Sequence, residues 1–135
     1  MQLQNAKTKF EQQGIRLAAI SYDSQAILID FAKRHNIEFP LLADPDSKVI
    51  RSFDTLNKEA NGMNKGMAHP GFFYIDDSGI IREKYFEAKY TNRFTANNVI
   101  AKLFPELTQE VRASKLPTSG SRFRNLITQS YPAAG

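Results

Sequence analysis

The hydrophobic positions change period several times along the chain, and each change marks an element. Leu3, Ala6, Lys7 and Phe10 recur at helical spacing, and Gly14 suits the residue just past a helix end, so an opening helix is predicted. Ile15-Arg16-Leu17-Ala18-Ala19-Ile20 is a short, nearly continuous apolar run, the mark of a strand covered on both faces in a parallel sheet. Ser21-Tyr22-Asp23-Ser24 then supplies helix caps, and Ile27, Leu28, Phe31, Ala32 and His35 fall on one helical face. Strand, tight loop and helix in this order make half of a βαβ unit.

Leu41-Leu42 predicts a brief extended piece. Asp44-Pro45-Asp46 is a helix-start signal, with Asp44 as cap, Pro45 at the first helical position and Val49, Ile50 and Phe53 as the apolar stripe. Residues 55–68 form a polar stretch without periodicity. Gly71–Ile75 is a strong strand, Asp76-Asp77-Ser78-Gly79 a hairpin turn, and Ile80–Phe86 a return strand charged on alternate positions, as suits a sheet edge. Thr95 caps a last helix whose Val99, Ile100, Leu103 and Phe104 face inward, and Pro105 follows its end. The pattern breaks down after that. Leu116–Ser121 is linker-like and Phe123–Ile127 too short for a domain, so residues 1–104 are expected as the domain and 105–135 as a tail leading out of it.

The 135 residues suit one domain with one core. A net charge of +4, with both signs interspersed and no aromatic–basic stripe, gives no electrostatic footprint for nucleic acid. No apolar run is long enough to cross a bilayer, and the start has neither a basic n-region nor an apolar h-region. The compartment is therefore open, with the cytoplasm as default expectation. Cysteine is absent, which excludes disulfides, Cys-rich zinc sites and thiol catalysis for these residues alone.

The stretches Leu17–Phe53 (LAAISYDSQAILIDFAKRHNIEFPLLADPDSKVIRSF) and His69–Glu87 (HPGFFYIDDSGIIREKYFE) resemble the alkyl hydroperoxide reductase/thiol-specific antioxidant (AhpC/TSA) and redoxin group. The resemblance implies an α/β, thioredoxin-like, three-layer αβα fold. In that group the catalytic cysteine sits at the N-terminus of the helix that opens this chain, where backbone N–H groups lower a thiol's pKa. The sheet's central strand precedes that helix. Both would lie before Met1, so the expectation is a truncated domain whose incomplete sheet lacks its N-terminal strands. Ile15–Ile20 and Gly71–Ile75 would then either close on each other or stand apart across a groove. Unpaired inner edges, at about 1–3 kcal/mol for each unsatisfied group, would leave the isolated chain marginal or prone to aggregate.

The resemblance further places Pro70 at the cis-proline position of thioredoxin-like oxidoreductases, bordering the substrate groove, with His69 beside the absent thiol. Typical peroxiredoxins carry an arginine there, so Pro70 follows the thiol–disulfide branch. His69 is either a thiolate stabiliser or a loop residue without chemistry, and His35 is expected as a partly buried structural residue. No catalytic residue is assigned. Asp44, Asp46, Asp76 and Asp77 lack the ligand pattern of a calcium loop, two separated histidines make no metal site, and no cofactor is implied. Ser21 or Ser24 with a distant histidine does not make a triad. The parent is expected to reduce a peroxide or disulfide, with a thiol electron donor and a possible homodimer. A non-enzymatic module binding extended peptides along the Pro70 groove, or a partner domain, is the alternative.

Overall fold

The computed structural model describes residues 2–87, 95–106 and 124–129, with the main chain alone for Gln2 and for 124–129. The elements are α1 (Gln2–Gln12), β1 (Ile15–Ser21), α2 (Gln25–His35), β2 (Leu41–Ala43), α3 (Lys48–Ser52), β3 (Gly71–Ile75), β4 (Ile81–Phe86), α4 (Ala96–Leu103) and β5 (Arg124–Gln129), with a 3-10 turn at Gly62–Asn64. Local signals account for most of the boundaries. Gly14 takes the left-handed φ of 72° that lets the chain leave α1 and enter β1. Ser24 and Thr95 cap α2 and α4, their hydroxyls accepting from the N–H groups of Ile27 and Asn98. Asn36 closes α2 in the left-handed region.

Asp44 and Pro45 act differently from expectation. Pro45 lies in a turn ahead of α3, and the helix starts three residues later, after Ser47 in the left-handed region. Asp44 still stabilises it: Oδ1 accepts from Lys48 N–H and Oδ2 from Ile50 N–H, both at 2.9 Å. A carboxylate reaching forward from the turn thus does the work of a cap that Ser47 itself does not supply.

The five strands form one mixed sheet in the order β2-β1-β5-β3-β4. β1 runs parallel to β2 and to β5, while β3 is antiparallel to β5 and to β4. This α/β arrangement is thioredoxin-like, but its centre corrects two expectations. Residues 124–129 are not part of a tail leading out. They form β5, paired with β1 from Ile15↔Arg124 to Ile20↔Gln129 and with β3 from Gly71↔Gln129 to Ile75↔Asn125. β1 and β3 therefore neither meet directly nor flank an open groove. The ladder groups that would have been left unpaired on their inner edges have partners, so that reason for expecting a marginal chain is removed. Residues 107–123 and 130–135 of the expected tail lie outside the described residues.

Helices α1 and α4 share one face of the sheet. Leu3, Ala6 and Phe10 of α1 and Ala96 and Val99 of α4 pack with Ile15, Leu17 and Ala19 of β1 and Phe72 and Tyr74 of β3. Phe73 points to the opposite face, as strand alternation requires. There it meets Phe53 at 5.1 Å and Phe86 at 4.9 Å between ring centroids. Leu28 and Phe31 of α2 pack on Ile37 and Leu41 at the β2 edge. His35 is exposed rather than partly buried, its ring tilted against Phe31 at 4.5 Å.

Candidate functional site

In this sheet β1 and β5 end on the side where β3 begins, because β3 runs against them. Gln129 lies between Ile20 and Gly71 in the ladder, so Ser21–Asp23 and His69–Pro70 border the end of β5 from its two sides. At the first border, Ser21 Oγ donates to Asp23 Oδ2 at 2.5 Å and accepts from Asp23 N–H at 3.2 Å. Asp44 N–H donates to Ser21 O at 2.7 Å, bringing β2's exit beside β1's. The Tyr22 hydroxyl donates to Met63 O at 3.3 Å. Burial, and secondarily the Asp23 charge, push the Tyr22 phenol above its ordinary pKa.

The second border is built by the loop that the sequence leaves without period. Thr55–Asn57 and Met67–His69 form a short antiparallel ladder: Asn57 N–H donates to Met67 O and His69 N–H to Thr55 O, both at 2.8 Å, around a bridge between Leu56 and Ala68. Ser47 Oγ donates to Gly66 O at 2.7 Å and fixes the loop from below. Gly66 has φ of 97°, and a Cβ there would come within 2.7 Å of Ser47 Oγ, so this crossing requires glycine.

This ladder carries the chain straight into β3. Pro70 is buried, and its carbonyl accepts from Glu87 N–H at 2.8 Å. No peptide bond is cis among the described residues, so the His69–Pro70 bond is trans and the cis expectation is corrected. The physical reason is pairing on both sides of the bond: with His69 N–H held by Thr55 and Pro70 O held by Glu87, the segment stays extended. Gly71 follows because a Cβ would fall 2.0 Å from Phe86 Cδ1. The His69 side chain is half-buried, and its Nδ1 is buried with no hydrogen-bond partner in the structure.

The structure thus brings His69 and Pro70 to the end of the sheet, beside the end of β5. It does not bring His35 there. Ser24 serves as a helix cap, and the Ser21 hydroxyl is bonded to Asp23. Asp76 organises the hairpin, Oδ1 accepting from Ser78 and Ile80 N–H at 2.9 Å and Oδ2 receiving Arg82 Nε at 2.6 Å. No group of three potential metal ligands occurs among the described residues, and no helix among them is long and apolar enough to cross a membrane. The sequence alone does not place β5 at this site, although Leu126-Ile127-Thr128 carries a faint strand signal.

Comparison with known proteins agrees with this frame. The AhpC/TSA family model matches residues 1–84. Alkyl hydroperoxide reductase C of Staphylococcus epidermidis is 26% identical over 84 residues, covering 59% of this chain and 42% of that protein. The Staphylococcus haemolyticus protein of the same name is 27% identical over the same shares. Peroxiredoxin tpx1 of Schizosaccharomyces pombe is 32% identical over 85 residues, covering 58% of this chain and 42% of that one. The chain spans less than half the length of these curated relatives. The matched residues make up more than half of the chain, and the chain belongs to the AhpC/TSA family.

Proposed function

We propose that this chain is the cysteine-free portion of a peroxiredoxin-like, thiol-dependent redox domain, supplying the frame against which a thiolate works and not the thiolate itself. The observation that carries this is the Gly71↔Gln129 pairing in a chain of this family, which ends β5 beside His69–Pro70. The reaction needs a sulfur nucleophile. A thiolate attacks a peroxide oxygen, the O–O bond breaks, the sulfur keeps that hydroxyl as sulfenic acid, and the other oxygen leaves as alkoxide or hydroxide, which takes a proton from water; alternatively the thiolate attacks a disulfide sulfur and expels a thiolate. No side chain here can take that role, since cysteine is absent. Pro70 supports the disulfide branch over the peroxide branch, because it lacks the arginine charge that would hold the thiolate and polarise a peroxide.

The test is peroxide consumption by the purified chain with dithiothreitol as reductant. Consumption no faster than the protein-free blank is expected, and turnover above it would overturn the proposal. A peptide-binding module along Pro70 has less support. Pro70 is buried, and the His69 N–H that would pair with an extended peptide already donates to Thr55.

A further inference from the structure

A cleft of about 500 Å³ opens beside α3, between the Pro45–Ser47 turn and the loop that follows α3. Arg51, Lys58 and Lys65 all line it. Arg51 stands on α3 and Lys58 and Lys65 on the aperiodic loop after it, and the hydrogen bonds from Asn57 to Met67 and from Ser47 to Gly66 fold that loop back and gather them. Lys7, Arg34 and Arg82 each have a carboxylate within 4 Å, whereas Arg51, Lys58 and Lys65 have none among the described residues. Asn57, only 8% exposed, also lines the cleft. Its Oδ1 accepts from Glu59 N–H at 3.0 Å, which leaves the amide NH₂ to donate. The lining carboxylate is Asp46.

Three cations, one carboxylate and a donating amide give the cleft a surplus of two positive charges and of hydrogen-bond donors. Such a surplus complements a compact dianion with acceptor oxygens on every side. We propose that this cleft binds the phosphate group of a small phosphorylated molecule, with Arg51 and Lys65 as principal charge partners and Asn57 as the orienting donor. This site is separate from the redox frame, and the inference does not rest on it.

Isothermal titration of the intact chain with sodium pyrophosphate and with ADP, at constant ionic strength, tests the site; adenosine is the neutral comparison. Pyrophosphate and ADP are expected to bind with Kd on the order of 0.1–1 mM, and adenosine not at all. Because a charged hydrogen bond is lost, Arg51→Gln and Lys65→Gln should each weaken binding about tenfold. Asp46→Asn, which removes the one opposing charge, should tighten it. Lys33→Gln on α2, away from the cleft, should leave it unchanged. Absence of binding, weakening by Lys33→Gln equal to that by Arg51→Gln, or no tightening in Asp46→Asn would each overturn the assignment.

Discussion

Asp44 shows how much one side chain can organise when both carboxylate oxygens are engaged. It is 6% exposed, joins β2 to β1 through its own N–H, and holds two N–H groups of α3. Asp44→Ala should cost about 2 kcal/mol in urea unfolding, the upper range for a lost helix cap, and Asp44→Asn clearly less because one acceptor remains. Gly71→Ala carries a steric penalty instead. Its methyl would overlap the Phe86 ring, and a loss of about 1–3 kcal/mol is expected in the same measurement. Asp76 is a case for pH. Hydrogen bonds, from Ile80 N–H first and the Arg82 guanidinium next, hold its carboxyl below the usual aspartate range. A depressed folded-state pKa stabilises the fold above the unfolded value near 4, and that stability is lost as pH falls through the lower folded value. Stability followed from pH 5 down to pH 2 should therefore drop less steeply in Asp76→Asn than in the parent. At this scale the sequence is informative where a signal acts locally, as at Ser24, Thr95 and Asp76. It misleads at Pro70, because the geometry of that peptide bond is set by partners fifteen residues back, at Thr55, and seventeen ahead, at Glu87.

Among the elements, β5 was the hardest to foresee. A six-residue run has little local pattern to announce it, and its place depends on two strands remote in sequence. The helix–strand–helix opening and the β3–β4 hairpin were legible because period and turn chemistry lie within each unit. The loop at 55–68 was legible only as polar, since its ladder closes across ten residues or more through main-chain groups. Ile127→Pro removes an N–H from a strand paired on both sides, which a central position does not tolerate. The variant should lose the cooperative thermal transition, followed by far-UV circular dichroism, that the parent is expected to show. A parent without such a transition would contradict the joining of β1 and β3 through β5.

For the molecule as a whole, the family was legible from two stretches of residues, while the strand that joins the two halves of the sheet was not. The molecule is closed on one flank by β4, the edge partner of β3, whose residues 81–84 are exposed and include Arg82, Glu83 and Lys84. Lys84 also lies near the Phe73 and Phe86 rings, at 6.0 and 5.9 Å. Charged side chains on an edge discourage strand addition by other molecules. Replacing Arg82 and Lys84 together by threonine should promote concentration-dependent self-association, visible by static light scattering, with little change in the far-UV spectrum of the dilute protein.

The position of β5 also has a consequence for the order of events during synthesis. The strand that joins the two halves of the sheet is translated after every other described strand, over a hundred residues later than its partner β1. Until it forms, the edges of β1 and β3 that it pairs lack the partner described for them. Such non-local closure is slow compared with helix or hairpin formation. A chain in which β5 has not yet paired exposes those two edges, and an exposed edge is a template for a foreign strand.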